Sequence, residues 1–175
     1  MILNPTPLQG AYIVDPERKD DSRGFFARTW CNEEAEAGGL NGRVVQCSIS
    51  FNAHKGTLRG MHYQAAPYEE AKLVRCTMGK IFDVIIDLRL NSPTYKQHIH
   101  VVLSAENRRM LYVPEGFAHG FQTLLDNTEV FYQMSQKYMP DYARGVRWDD
   151  PAFGIPWPEN TRIISDRDRN FPDFT

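Results

Sequence analysis

The chain has 175 residues, of which 42% are hydrophobic and 24% charged, and its formal net charge is −2. This composition is typical of one folded domain spanning residues 1–175, and it excludes a disordered or collagen-like chain. The small net charge provides no field for nucleic acid or an anionic membrane, and no apolar run approaches the roughly 20 residues of a membrane-spanning helix.

The cysteines and the first residues indicate a reducing compartment. Cys31, Cys47 and Cys76 are odd in number and lack CxxC spacing, which argues against a disulfide framework. The first ten residues, MILNPTPLQG, have neither the basic region nor the apolar region of a signal peptide. We therefore expect a cytoplasmic protein.

Helical patterning is scarce. The best candidate is a short helix over 32–37, with Asn32 as the expected N-terminal cap and Gly38-Gly39 as its end. Elsewhere, short apolar runs alternate with polar residues and are interrupted by Gly, Pro or Asn, which is typical of a β-sandwich or barrel.

Residues 72–89 predict two strands joined around Gly79. In the second strand, alternation places Phe82, Val84, Ile86 and Leu88 on one face and Ile81, Asp83, Ile85, Asp87 and Arg89 on the other. The two aspartates mark either a solvated sheet face or a barrel interior that is polar because it holds a ligand.

Further strands are expected near 99–103, 109–113, 119–125 and 128–135, with turns at 114–116 and 126–127. From about residue 140 the chain is rich in Pro, Trp and Asp without clear periodicity, so we expect it to wrap over the barrel as irregular structure. The predicted fold is an all-β barrel or jelly roll with short peripheral helices.

Two histidines lie in glycine-containing segments, at Gly60-Met61-His62 and His119-Gly120. Such glycines let the backbone approach a ligand and leave the imidazole accessible, although a single histidine is more often structural. The segment from Pro114 to His119 also matches the second half of a metal-cupin motif.

The first half of that metal motif is incomplete, because Gln64 stands where a second imidazole belongs. Amide oxygen is a poor ligand for borderline or soft metals, so a metal site is disfavoured. A site made by His62, His119 and either Glu69 or Glu70 stays open as the weaker alternative.

The remaining interpretation is an acid–base pocket. The intrinsic pKa of histidine suits His62 to proton abstraction near neutral pH. Tyr132 is a candidate acid, or else a core tyrosine. Arg23 and Arg59 offer bidentate donors to a phosphate, and Lys72 can stabilise a developing negative charge.

Ordered motifs along nearly the whole chain resemble the dTDP-4-dehydrorhamnose 3,5-epimerase family of nucleotide-sugar enzymes. They are Asp21-x-Arg23-Gly24-Phe25-Phe26, Gly56-x-Leu58-Arg59-Gly60-Met61-His62-Tyr63-Gln64, Lys72-Leu73-Val74-Arg75, Asp83-Val84-x-x-Asp87-x-Arg89, Ser92-Pro93-Thr94, Pro114-x-Gly116-Phe117-Ala118-His119-Gly120-Phe121, Trp148-x-Asp150-Pro151, Ile155-x-Trp157-Pro158 and Ser165-x-x-Asp168.

The resemblance implies a cupin-type jelly-roll homodimer without metal or organic cofactor, acting on a nucleotide-linked 4-keto-6-deoxyhexose at C3, C5 or both. It implies His62 as the base, Asp168 rather than Asp166 as its carboxylate partner, Tyr132 as the acid and Lys72 facing the enolate. The implied substrate contacts are Arg23, Arg28, Gln46, Ser48, Arg59, His119, Tyr138 and Arg167, with Tyr138 stacking on the nucleotide base.

The chain departs from the family pattern at three positions assigned to the nucleotide end of the site. The pattern has Glu at Arg28, Asn at Ser48 and Glu at Ala143. Either these changes are compensated nearby or the nucleotide pocket is altered. We expect the latter, with dTDP not uniquely preferred and a CDP- or GDP-linked 4-keto sugar binding comparably or better.

Two functions of other classes compete with the epimerase. One is a non-catalytic sugar-nucleotide binding module, which would have no need of His62, Asp168 and Tyr132. The other is a metal-dependent cupin isomerase or oxygenase, whose activity a chelator would abolish.

Overall fold

The computed structural model describes residues 1–160 and 162–174. The strands are β1 (Ile2–Pro5), β2 (Tyr12–Asp15), β3 (Arg18–Asp21), β4 (Gly24–Ala27), β5 (Gln46–Asn52), β6 (Leu58–Gln64), β7 (Lys72–Met78), β8 (Lys80–Asp87), β9 (His98–Ser104), β10 (Met110–Val113), β11 (Phe117–Thr123), β12 (Thr128–Met134) and β13 (Ala143–Gly145). The helices are α1 (Asn32–Ala37), a 3₁₀ turn (Pro140–Tyr142) and α2 (Asp166–Arg169).

The strands form two antiparallel sheets and a separate hairpin. The six-stranded sheet has the order β1-β2-β10-β7-β12-β5, the five-stranded sheet has the order β13-β6-β11-β8-β9, and β3 pairs with β4 alone. The predicted strands at 72–89 are confirmed, although β7 and β8 belong to different sheets, so the turn at Gly79 carries the chain from one sheet to the other. The predicted all-β jelly-roll class is confirmed.

The main core fills the space between the sheets. It includes Val74 of β7, Ile81 and Ile85 of β8, Phe121 of β11 and Val130 of β12, all almost fully buried. Burial of this apolar surface is the dominant force that holds two such sheets face to face.

Two outer layers cover the sheets. The far side of β8, with Phe82, Val84 and Ile86, packs against Phe153 and Trp157 of the C-terminal segment. Helix α1 packs against the six-stranded sheet in a third cluster. The expectation that the chain beyond residue 140 wraps the barrel therefore holds, although that segment also contains β13 and α2.

Asp83 and Asp87 are both fully buried, so the solvated-face interpretation is wrong. Burial disfavours the charged form of Asp87, but hydrogen bonds from Arg89, Ser92 and Thr94 outweigh that effect and lower its pKa to about 2. The hydrogen bonds of Asp87 thereby hold the loop after β8 in place, while Asp83 forms a buried pair with His119.

The start of α1 differs from the expectation. Asn32 is the first helical residue and not the cap; the cap position is Cys31, which makes no side-chain capping bond. The Asn32 side chain instead accepts a hydrogen bond from the indole of Trp30. None of the helices among the described residues has the length and apolar character needed to span a membrane.

Candidate active site

A cavity of about 350 Å³ opens between the two sheets. Strands β5, β7 and β12 form one wall, β6 and β11 form the other, and β13 and α2 border it. The predicted site residues that line it are Gln46, Ser48, Arg59, His62, Lys72, His119, Tyr132, Tyr138 and Arg167. The structure thus gathers most of the expected site from segments far apart in the sequence.

His62 on β6 is paired with Asp168 on α2. Its Nε2 lies 2.8 Å from Asp168 Oδ1, while the other carboxylate oxygen accepts the backbone N–H of Gly60 at 3.2 Å. Asp166, the weaker alternative, is exposed at the start of the helix. The Ser165 hydroxyl caps α2 by accepting from the Asp168 backbone, which fixes the helix that presents the carboxylate.

The electrostatics of this pair define the tautomer of His62. Burial disfavours the Asp168 carboxylate, but hydrogen bonds from His62 and Gly60 outweigh burial and lower the pKa of Asp168. An ionised carboxylate only accepts hydrogen bonds, so Nε2 of His62 donates to it and Nδ1 is left to accept a proton. His62 is 39% exposed, so a ligand in the cavity can reach its imidazole.

The glycines beside the histidines serve a different purpose from the one expected. Gly60 has a φ of 137°, and a Cβ there would lie 2.5 Å from the Cα of Gly120. The two glycines therefore let β6 and β11 approach each other where the strand register shifts. This close approach belongs to the two strands and is not a contact with a ligand.

His119 on β11 has an aspartate of its own. A hydrogen bond of 2.7 Å joins its Nε2 to Oδ1 of Asp83, and both side chains are almost fully buried. Asp83 Oδ2 has no hydrogen-bond partner among the described residues. The His119 ring also meets Tyr132 edge-to-face, with centroids 6.2 Å apart, so His119 connects the two walls.

Tyr132 stands on β12, in the sheet opposite His62. Burial, together with the nearby charge of Asp83, raises the pKa of Tyr132 above its usual range. The phenol is therefore protonated at neutral pH, which is the state required of a group that returns a proton to carbon. A potential base and a potential acid thus face the cavity from opposite walls.

Lys72 at the start of β7 forms a buried ion pair with Glu70, with Nζ 3.0 Å from Oε1. The sequence indicated Glu70 only as a possible metal ligand. The spacing of Glu70 and Lys72 was the signal that could have found the pair, since side chains two residues apart share one side of an extended chain.

The open part of the cavity is basic. Exposed Arg59, Arg144 and Arg167 line it, and Asn52 Oδ1 accepts from Arg59 Nε at 2.8 Å. No sequence motif indicated Arg144 as a cavity residue. Tyr138 presents a half-exposed ring beside these arginines, and its backbone N–H donates to the Gln46 side chain.

The structure does not bring Arg23 and Arg28 to this cavity. Arg23 lies in the β3–β4 hairpin, is 88% exposed and pairs with Asp21. Arg28 pairs with Glu34 of α1 beside a separate small cavity. Of the three positions that depart from the family pattern, Ser48 and Ala143 line the main cavity.

The histidine and glutamate side chains considered as metal ligands do not come together in one site. Among residues 1–160 and 162–174, no group of three or more His, Cys, Asp or Glu side chains is placed to hold a metal ion. His62 and His119 each engage a different aspartate, Glu70 engages Lys72, and Glu69 is exposed.

The family model described as dTDP-4-dehydrorhamnose 3,5-epimerase matches residues 5–175. The chain belongs to this family. The dTDP-4-dehydrorhamnose 3,5-epimerase of Methanothermobacter thermautotrophicus is 46% identical over 169 residues, covering 95% of this chain and 90% of that protein.

Solved epimerase structures agree with the family match. The Bacillus anthracis dTDP-4-dehydrorhamnose 3,5-epimerase with TDP and PPi bound is 41% identical, with a TM-score of 0.95 and 99% of each chain covered. The Legionella pneumophila dTDP-6-deoxy-D-glucose-3,5-epimerase in complex with dTDP-4-keto-L-rhamnose is 36% identical, with a TM-score of 0.88 and coverage of 95% of this chain and 89% of that one. The resemblance drawn from the motifs is confirmed, and neither alternative function is favoured.

Proposed function

We propose that this epimerase inverts C3 and C5 of a nucleotide-linked 4-keto-6-deoxyhexose. The observation that carries the proposal is the placement of the His62–Asp168 pair on one wall of the cavity and protonated Tyr132 on the other. Inversion at carbon requires removal of a proton from one face and its return on the opposite face, which is what two such walls provide.

The C4 ketone makes the hydrogens at C3 and C5 acidic, because the carbanion formed delocalises onto O4 as an enolate. Nδ1 of His62 takes the proton, and the Asp168 carboxylate stabilises the imidazolium that forms. The Lys72 ammonium stabilises the negative charge on O4. Tyr132 then donates its phenolic proton to the carbon from the opposite face, which completes the inversion.

The nucleotide occupies the basic, open part of the cavity in this proposal. Arg59, Arg144 and Arg167 neutralise the diphosphate, and His119 contributes a further contact from the buried side. The half-exposed ring of Tyr138 stacks on the base. The complexes of the Bacillus and Legionella relatives support a thymidine-linked substrate.

We propose that the active form is a homodimer in which the β3–β4 hairpin of one copy reaches the cavity of the other. The isolated chain leaves the hairpin's Phe26 73% exposed, and Ile49 and Phe51 of the edge strand β5 are 64% and 51% exposed. Arg23, assigned to the substrate by the family motif, lies away from its own cavity. Packing against a partner subunit would cover the exposed apolar side chains and bring Arg23 to the partner's cavity.

Co-expression of Arg23→Ala and His62→Asn chains tests this arrangement. A mixed dimer would contain one site with both an intact Arg23 and an intact His62, so part of the activity should return although each variant alone is inactive. If mixed dimers form without any recovery of activity, Arg23 does not serve the partner's site.

We propose that the enzyme is cytoplasmic and needs neither metal nor organic cofactor. The three free cysteines fit a reducing compartment, and the lysine at the cavity supplies the positive charge that a metal would otherwise bring to O4. Treatment with a chelator followed by metal analysis checks the second statement; activity that falls with metal removal would overturn it.

The decisive experiment is incubation with candidate 4-keto sugars in D₂O, with NMR detection of deuterium at C3 and C5. We expect exchange at both carbons and accumulation of the inverted product. Absence of exchange with every nucleotide form would refute the enzymatic proposal. Exchange and inversion at only one carbon would restrict it to a mono-epimerase.

A further inference from the structure

Glu70 lines the cavity but has no role in the proposed proton transfers. Its carboxylate and the Lys72 ammonium are each only 10% exposed and lie 3.0 Å apart. Of the described residues that line the cavity, Glu70 is the only one that carries a carboxylate. A carboxylate in a cavity that binds an anionic substrate repels that substrate. The presence of its charge here therefore calls for a functional explanation.

The position of the pair within the cavity suggests that purpose. Arg59, Arg144 and Arg167 are exposed at the open side, whereas Lys72 and Glu70 are buried. Among the described residues, four side-chain cations of Lys and Arg line the cavity, and the buried lysine is the only one of them with an acidic partner. The positive charge without an acidic partner is exposed to solvent, where the diphosphate is proposed to bind, and the neutralised charge is buried.

We propose that Glu70 is a positioning and specificity-determining residue that reserves Lys72 for the sugar carbonyl and keeps phosphate away from it. This inference rests on the proposed function and concerns the same site. The carboxylate holds the ammonium in place by a charge-assisted hydrogen bond and cancels its charge at longer range.

The physical basis is the difference between a net charge and a local donor. A diphosphate is attracted by net charge over several ångströms, so an unpaired buried ammonium would compete with the arginines for it. The carbonyl O4 carries little charge before reaction, and the negative charge that develops on it is stabilised by an N–H donor in direct contact. A lysine paired with a glutamate keeps such donors, because an ammonium has three N–H groups. The ion pair thus favours contact of Lys72 with the sugar carbonyl over contact with a phosphate.

The test compares Glu70→Gln with Glu69→Gln, which removes the same charge from the exposed neighbouring side chain. Calorimetric titration with inorganic pyrophosphate should show about tenfold tighter binding to Glu70→Gln than to the wild type, and no change for Glu69→Gln. Adding Lys72→Gln to Glu70→Gln should remove the gain. A merely structural role for Glu70 predicts the opposite sign, since a damaged cavity binds the anion more weakly.

Steady-state kinetics with the 4-keto sugar give the second readout. Glu70→Gln should lower kcat about tenfold while leaving the KM unchanged or lower, because nucleotide binding is retained or strengthened and the ammonium is no longer held at O4. Unchanged or weaker pyrophosphate binding in a Glu70→Gln protein with wild-type thermal stability overturns the proposal. The pyrophosphate titration requires no turnover, so its outcome is independent of whether the wild type exchanges deuterium.

Discussion

His62 and His119 are direct cross-strand partners on β6 and β11, and each imidazole is hydrogen-bonded to a different aspartate. Their accessibility differs greatly, since the side chain of His62 is 39% exposed and that of His119 only 5%. The geometry therefore distinguishes two otherwise similar His–Asp pairs. The accessible one is suited to exchange protons with a bound substrate, and the buried one is suited to hold a fixed position.

His62→Asn should abolish deuterium exchange at both C3 and C5, with a rate loss of roughly 10²–10⁴-fold, because one imidazole serves both carbons. Folding and nucleotide affinity should remain close to those of the wild type, as judged by thermal unfolding and calorimetry. Substantial exchange that survives at either carbon would identify another base.

Asp168→Asn should lower kcat about 10²-fold with little change in dTDP affinity. The amide no longer stabilises the imidazolium, and it can donate to Nε2, which favours the wrong tautomer of His62. The exposed neighbour Asp166 provides the matched control, and Asp166→Asn should behave as the wild type. Equal losses in the two variants would contradict the assigned pair.

Tyr132→Phe removes only a hydroxyl, so the substrate should still bind and lose a proton to His62. We expect deuterium exchange to persist while the carbon that depends on Tyr132 keeps its original configuration. Since the pKa of Tyr132 is raised, wild-type activity should not decline near pH 10 through ionisation of this phenol. Formation of inverted product at the wild-type rate by Tyr132→Phe would show that the ring only packs.

The nucleotide preference should be relaxed, because Ser48 and Ala143 line the cavity at positions where the family pattern has Asn and Glu. Calorimetric titration with dTDP, CDP, UDP and GDP should give a preference for dTDP below roughly 100-fold, or about 2.7 kcal/mol. Ser48→Asn combined with Ala143→Glu should increase that preference. A wild-type preference above this limit would refute the altered pocket.

Asp87→Asn should destabilise the fold at neutral pH by about 2 kcal/mol, because the buried carboxylate loses its charge-assisted hydrogen bonds with the partly exposed Arg89. The wild-type carboxylate has a folded pKa of about 2 against an ordinary value of 3.8. Its stabilisation is therefore complete above about pH 4 and is lost as the pH falls towards 2. Denaturant titrations should show a weaker acid dependence in this variant than in Asp141→Asn, an exposed control.

Much of the fold could be predicted from local pattern. The strands β7 and β8 follow from β-branched alternation interrupted by Gly79, whose φ of 79° suits a turn. By contrast, β3 consists of the charged residues Arg18, Lys19, Asp20 and Asp21, so no apolar pattern marks it. The Asn32 cap was wrong because a nearby indole competes for its side chain.

Site residues such as Asp168 could be predicted because a motif specified their chemistry. Residues whose position depends on which ion pair they form in the folded protein could not be predicted. Arg23 and Arg28 each bind a local acid, and no sequence pattern shows whether an arginine turns to its neighbour or to a ligand. The pairing of Glu70 with Lys72 depends in the same way on burial that only the folded cavity provides.

The position of β5 at the end of its sheet has a consequence for biosynthesis. Among the described strands β5 pairs only with β12, and the contact between Asn52 and Thr128 spans 76 residues. Until the ribosome has made β12, β5 has no partner strand. Its apolar side chains Ile49 and Phe51 are exposed even in the folded chain. Such edges are prone to aggregation, so we expect this segment to need protection until β12 has been made.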